Sequence, residues 1–202
     1  MMSSLNIDWK PEFGNIYTWF GMDRSGLIAM MVNNCFGDLP RPLLFLDNTE
    51  SILDGLSEFV WEESCIYDKY PNDKCGEFSV DLYSFWRNRD DLDVENIYMA
   101  MKDDLLISKN YSEANIPVNK GIFVYHAVEG TYEGEDYPVG YEGETIMGDY
   151  FRFLVPTIYA SINDFPEALQ RGIVVSDSID FTNTRVIENK NINKYFTRMY
   201  KK

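Results

Sequence analysis

Two apolar runs joined by a short polar segment are the feature that most restricts how this chain can fold. The runs IYTWF at 16–20 and LIAMMV at 27–32 are aromatic or aliphatic at most positions, and they flank GMDRSG at 21–26. Asp, Ser and Gly favour turns, so the pattern predicts a β-hairpin and therefore an antiparallel pair of strands. Within it we expect five residues to define the fold rather than to bind a partner: Trp19, Phe20, Gly21, Asp23 and Gly26.

Further helices and strands follow along the chain. An apolar repeat of helical period begins at Asn48 and ends near Glu63, and Asp93 is placed to cap a second amphipathic helix that reaches Leu105. Strands are predicted over 78–86, 121–128, 151–155 and 173–181, and a short helix over 164–172. This order predicts one α+β domain over residues 1–202, with a mainly antiparallel sheet and a few flanking helices.

The charge balance limits the kinds of partner. The chain has 202 residues, with 18 Lys and Arg against 33 Asp and Glu, for a formal net charge of −15. Nucleic acids and anionic membranes bind proteins through cations that neutralise phosphate, so neither is expected as a partner. A basic protein partner remains, as does the simpler interpretation that the acids keep the protein soluble.

Segments that direct proteins to or through membranes are not evident in the sequence. The start, MMSSLNIDWKPEF, lacks the charged and apolar regions of a signal peptide, and the longest apolar stretch, LIAMMV, is too short to cross a bilayer. These features predict a cytoplasmic protein. The three cysteines, Cys35, Cys65 and Cys75, form no CxxC pair, so buried free thiols are expected rather than disulfides or a zinc site.

Catalytic motifs are also missing from the sequence. The single histidine, His126, lies within a predicted strand, and no GxSxG, GxxxxGK[ST] or GxGxxG pattern occurs. The enzymatic alternative is a metal-dependent hydrolase that uses carboxylates, for which Asp180, Glu188 and Lys190 are the candidate residues. We expect no enzyme activity and assign no catalytic residue, metal ligand or cofactor.

The segment EGTYEGEDYPVGYEGE at 129–144 has the composition of a binding surface. It combines six carboxylates, three tyrosines and four glycines with no Lys or Arg. Tyrosine supplies rigid contact area, glycine lets the backbone conform, and carboxylates complement basic side chains. The candidate partner-binding residues here are Tyr132, Glu133, Glu135, Asp136, Tyr137, Tyr141, Glu142 and Glu144.

A second acidic feature lies on the first predicted helix. Glu50, Asp54, Glu58 and Glu62 recur every four residues, and like charges at this spacing each cost a helix about 0.2–0.5 kcal/mol. These four residues are either further partner contacts or an ordinary solvated face. A nuclease's substrate cleft is a common basic surface, so a nuclease is the class of protein partner that these acidic features would fit.

Several segments resemble a family of small bacterial immunity proteins encoded beside polymorphic or contact-dependent growth-inhibition toxins. The resemblance lies in WFGMDRSGLIA at 19–29, FGDLP at 36–40, GIFVY at 121–125, and Tyr150 and Pro156 ahead of NDFPEAL at 163–169. It covers about three quarters of the chain and implies a cytoplasmic protein that binds and blocks a toxin. It assigns no binding residues, and the 129–144 segment lies outside the shared pattern.

Overall fold

The computed structural model describes residues 5–201. Within them are ten strands: β1 Thr18–Met22, β2 Ile28–Val32, β3 Phe78–Val80, β4 Tyr83–Ser84, β5 Phe123–Ala127, β6 Pro138–Val139, β7 Tyr150–Pro156, β8 Ile173–Val175, β9 Val186–Ile187 and β10 Arg198–Met199. The same range contains seven α-helices: α1 Arg41–Leu44, α2 Thr49–Val60, α3 Phe85–Asn88, α4 Val94–Ser108, α5 Asn115–Lys120, α6 Glu167–Gln170 and α7 Ile192–Tyr195. None of these helices combines the length and apolar character that a bilayer crossing requires.

The strands form one mixed sheet and one small antiparallel sheet. The large sheet has the order β10-β8-β1-β2-β5-β7-β3, and β9 also pairs with β7. The second sheet consists of β4 and β6. Within the described chain, six pairings are antiparallel and two, β1 with β8 and β2 with β5, are parallel. The α+β prediction with a mainly antiparallel sheet is confirmed.

The predicted hairpin forms and lies at the centre of the large sheet. β1 pairs with β2 in a register that places Trp19 opposite Met31. In the turn, the Asp23 carboxylate accepts from the backbone nitrogen of Ser25 at 2.8 Å and of Leu27 at 2.9 Å. Gly26 has a φ of +82°, a conformation that favours glycine. Trp19 and Phe20 are fully buried in the main hydrophobic cluster, which confirms their fold-defining role.

Two of the predicted strands are shorter than expected. The 78–86 segment divides into β3, β4 and then α3, because the Ser84 side chain accepts from the Arg87 backbone and begins a helix. The 173–181 segment is a strand only to Val175, after which the Ser176 hydroxyl accepts from the Ile179 backbone nitrogen and turns the chain. Local hydrogen bonds from a side chain to the backbone compete with the backbone hydrogen bonds that join neighbouring strands.

The glycine that was expected to open the strand at 121–128 instead closes a helix. Gly121 follows α5 with a φ of +68°, in the left-handed conformation common after helix ends. β5 then runs through the core with every residue buried. Predicted helices α2 and α4 are confirmed, but α4 buries only Ile97, so its apolar face is far more exposed than the sequence period indicated.

The cysteines are free thiols, as the sequence predicted, but only Cys35 is buried. Cys65 and Cys75 are exposed, which corrects that part of the expectation.

Candidate partner-binding surface

Asp136 anchors the 129–144 loop to the body of the protein. Its carboxylate accepts from the Ser84 hydroxyl and the Trp86 backbone nitrogen, each at 2.9 Å, and from the Glu129 backbone nitrogen at 3.0 Å. The side chain is buried at 4% exposure. Asp136 was expected to contact a partner, but these three bonds and its burial make it a structural residue instead, because a buried carboxylate must satisfy its oxygens within the protein.

Three further contacts hold the loop against β4 and α3. The β4–β6 sheet pairs Tyr83 with Val139, and the Tyr137 ring stacks on Phe85 with centroids 4.7 Å apart and planes at 12°. At the base of the loop Glu129 forms an ion pair with Arg87. The loop is therefore ordered by sheet pairing, ring stacking and an ion pair, in addition to Asp136.

Glu135 also has an internal role. It is half-buried, and its carboxylate accepts from the backbone nitrogens of Thr131 and Tyr132, the latter at 3.0 Å. These bonds close the tight turn in which Gly134 has a φ of +79°. Neutralising Glu135 would alter the turn as well as the surface charge.

The remaining acids of the loop face solvent. Glu133, Glu142 and Glu144 are exposed, and none forms an ion pair within residues 5–201. Tyr132 is 75% exposed and Tyr137 is 47% exposed. A groove of about 440 Å³ lies in this loop and is lined by Glu133, Tyr137, Tyr141 and Glu144, among other residues. We name the six residues that face solvent or line this groove the tyrosine–acid surface: Tyr132, Glu133, Tyr137, Tyr141, Glu142 and Glu144.

The four acids predicted along the first helix do not form one continuous surface, and α2 ends at Val60, so Glu62 lies beyond the helix. Glu50 accepts from the Leu5 backbone nitrogen at 2.8 Å, and Glu62 forms an ion pair with Lys120, whose side chain is only 3% exposed. A buried ammonium group requires such a partner, so Glu62 serves the fold. Asp54 and Glu58 are exposed. Of the four residues predicted to bind a partner, these two keep freely exposed carboxylates.

His126 lies beside a small cavity but has no free ring nitrogen. The cavity, of about 140 Å³, is lined by Ser84, Arg87, Asn88, Glu113, His126, Phe151 and Phe153. His126 Nε2 bonds to the Glu113 carboxylate, and Nδ1 lies 3.4 Å from the Asn34 amide nitrogen. Both nitrogens are used inside the protein, so the imidazole is not placed to act on a substrate.

The electrostatics of this pair favour an ionised glutamate. Burial raises the pKa of the Glu113 carboxyl, but the attraction and hydrogen bond of His126, together with Arg87, outweigh burial and hold the pKa below its ordinary value. The network continues outward, because Arg87 also donates to the Asn34 side-chain oxygen at 3.0 Å and pairs with Glu129. It thus connects the core strand β5 to the base of the acidic loop.

The candidate hydrolase residues belong to separate local clusters. Hydrogen bonds from Thr182 and Asn183, together with Arg24, hold the pKa of Asp180 well below its ordinary value. Glu188 pairs with Lys190 at 3.1 Å on the surface, and this contact lowers the pKa of the glutamate. Within residues 5–201, no group of three or more His, Cys, Asp or Glu side chains is placed to hold a metal ion.

Sequence patterns did not indicate the residues that support the loop. Asn34, the Ser84–Arg87 segment and Glu113 come from three separate parts of the chain and meet only through the fold. Ser84 had one local signal, since it precedes the helix that it caps. No protein-family model, curated protein or solved structure matches this chain, so the resemblance to immunity proteins rests on the sequence segments alone.

Proposed function

We propose that this protein is a cytoplasmic immunity protein that binds and neutralises a basic bacterial toxin of nuclease type through the tyrosine–acid surface. The observation that carries the proposal is the combination of three exposed carboxylates and three tyrosines on one loop that is anchored by the buried Asp136. The resemblance in sequence supplies the toxin as the class of partner.

The exposed carboxylates suit a basic partner. Glu133, Glu142 and Glu144 are exposed and form no ion pair within residues 5–201, so their field extends into solvent. A cationic surface would be attracted over roughly the screening length, about 8 Å at physiological salt, before any contact forms. Steering of this kind raises the association rate more than it raises the lifetime of the complex.

The tyrosines suit the formation of a durable contact. Tyr132 and Tyr137 expose ring area beside a groove, and Tyr141 is half-buried in the groove wall. Tyrosine loses little side-chain entropy on binding and is frequent among residues that dominate interface energies. The bonds to Asp136 already order the loop, so less conformational entropy is lost when the partner binds.

A direct test uses the product of the neighbouring gene, which the proposal predicts to carry a toxin domain of nuclease type. Purified protein should abolish the toxin's nuclease activity at a molar ratio of about one to one, as expected for a tight complex. Tyr137→Ala and Tyr141→Ala should each require an excess of protein for the same inhibition. Tyr111→Ala is the matched control, because Tyr111 is 73% exposed and lies outside the loop. Equal inhibition by all three variants would contradict the proposed surface.

Within residues 5–201, the candidate residues of the alternative hydrolase function do not converge on one site. Asp180 and Glu188 have different hydrogen-bond partners, and His126 is fully engaged with Glu113 and Asn34. Metal-assisted hydrolysis needs ligands that converge on one ion and a position for the attacking water. We therefore retain the binding function as the proposal.

A further inference from the structure

The edge of the large sheet at β3 has free backbone hydrogen-bonding groups. β3 ends the strand order and pairs with β7 in the register Phe78–Pro156, Ser79–Val155 and Val80–Leu154. Next to it, Thr157 N donates to Glu77 O at 3.0 Å and Asp81 N donates to Phe153 O at 2.9 Å. In an antiparallel ladder the bonded residues alternate, so residues 77, 79 and 81 face β7.

The intervening residues, Phe78 and Val80, therefore direct their N–H and C=O groups away from β7. Within residues 5–201, none of these four groups has a hydrogen-bond partner on the free side of the strand. Exposed edges are templates for a further strand, and proteins often cover or charge them for that reason. Here the edge offers two donors and two acceptors to an extended chain.

A groove lies directly beside this edge. It has a volume of about 290 Å³ and is lined by Phe78, Ser79, Val80, Val94, Glu95 and Tyr98. One wall is β3 and the other is the first part of α4, where Phe78 and Tyr98 pack with ring centroids 5.0 Å apart. Val94 is 45% exposed, so apolar surface remains available in the groove.

We propose that this groove binds an extended segment of a partner protein, which adds to the sheet at β3 and places alternate apolar side chains between β3 and α4. Strand addition obtains affinity from backbone bonds and specificity from contacts of alternate side chains. Here β3 offers the backbone groups, and the single groove offers the apolar contacts. The site is separate from the tyrosine–acid surface, and the proposal does not depend on that surface.

Charge decides the kind of segment that fits. Residues 90–104 carry six carboxylates and one lysine, and Glu95 lines the groove itself. A segment with basic residues flanking its apolar positions is therefore complementary. A second copy of this chain is disfavoured, because edge-to-edge pairing would bring two equally acidic helices together.

Residues bonded to β7 alternate along β3 with residues whose amides are free. Amide hydrogen exchange can therefore test the proposal residue by residue. The probe is an acetylated and amidated Lys-Val-Lys-Val-Lys-Val peptide at about 2 mM, a concentration suited to a weak complex. The peptide should slow exchange of the Phe78 and Val80 amides by about threefold or more, while Ser79, already bonded to β7, should not change. The same peptide with N-methyl groups on alternate residues keeps its charge and should protect neither amide.

Two variants separate binding from folding. Val80→Pro removes an N–H that β7 does not use, and proline is tolerated at such edge positions, so the fold should persist while peptide protection is lost. Val94→Asn should weaken peptide binding by about tenfold, whereas Met99→Asn, at a similarly exposed site on α4 outside the groove, should not.

The proposal is overturned if the Lys-Val peptide leaves the exchange of Phe78 and Val80 unchanged in the wild-type protein. It is also overturned if these amides gain protection with rising protein concentration alone, because the occupant would then be a second copy. A failure of toxin inhibition would leave these exchange results unaffected, so the two proposals can fail separately.

Discussion

The Asp136 carboxylate and the Ser84 hydroxyl, 52 positions apart in the chain, lie 2.9 Å apart in a buried hydrogen bond. Ser84 also caps α3, so one side chain joins the helix start to the acidic loop. The loop that presents the tyrosine–acid surface is therefore part of the folded body. Its most central carboxylate supports the loop, and its outer carboxylates carry the exposed charge.

Removing the Asp136 carboxylate should destabilise the protein. Asp136→Ala leaves the Trp86 and Glu129 backbone nitrogens without their acceptor, and each buried donor left unpaired costs about 1–3 kcal/mol. The free energy of unfolding, measured with denaturant, should fall by at least about 2 kcal/mol. Glu133→Ala, on the exposed side of the same loop, should change it by less than about 0.5 kcal/mol. Similar values for the two variants would show that Asp136 does not anchor the loop.

Trp19 should be among the most costly residues to truncate. It is fully buried, packs edge-on against Phe196 and Tyr150, and donates from its indole nitrogen to the Tyr150 hydroxyl at 3.1 Å. Trp19→Ala should lower the free energy of unfolding by about 3–5 kcal/mol, with a matching fall in the thermal midpoint. Phe13→Ala is the control, because Phe13 is 86% exposed. An unchanged midpoint in Trp19→Ala would contradict the assigned core.

The Glu113–His126 pair should make stability depend on pH in acid. The pKa of Glu113 is lower in the folded protein, so its contribution is present above the unfolded value and is lost as pH falls through the folded value. The free energy of unfolding should therefore fall as pH drops below about 4.3, the ordinary glutamate value. Glu113→Gln should reduce this slope, and Glu133→Gln should not. Identical acid slopes in wild type and Glu113→Gln would remove the pair as its cause.

Metal-dependent hydrolysis should not be detectable. Purified protein with Mg²⁺, Mn²⁺ or Zn²⁺ is expected to leave nucleic acid, phosphoester and glycoside substrates intact, because the candidate ligands do not converge. The measurement is product formation over background, with wild type and Asp180→Asn compared. Turnover that disappears in Asp180→Asn or Glu188→Gln would replace the binding proposal with the hydrolase alternative.

The parts of the fold that sequence predicted best are those set by local patterns. The hairpin turn at Asp23 and Gly26, the α2 period and the Asp93 cap each depend on residues that are close in the chain. The parallel pairing of β1 with β8 and of β2 with β5 joins distant segments, and no local pattern carries that information. The division of 78–86 was missed because the Ser84 cap competes with an alternating strand pattern.

The composition of the 129–144 loop indicated a binding surface, but it did not indicate which residues of the loop are structural and which are exposed. Five consecutive positions, 133–137, include Glu133, Asp136 and Tyr137, yet Asp136 is buried and the other two are exposed. The difference arises from Ser84, Trp86 and Glu129, whose donors converge on Asp136 only in the folded chain. Likewise, Glu62 is committed to the buried Lys120, 58 positions away.

The most direct test of the binding proposal is the salt dependence of association with the toxin domain. The loop variant, Glu133→Gln/Glu142→Gln/Glu144→Gln, removes three charges from the tyrosine–acid surface. The control variant, Asp68→Asn/Asp90→Asn/Asp103→Asn, removes three exposed charges elsewhere. Stopped-flow measurement should show that the loop variant associates about tenfold more slowly at low salt, with a flatter salt dependence, while its dissociation rate changes little. The control should associate at close to the wild-type rate. Wild-type association kinetics in the loop variant at low salt would contradict the central claim.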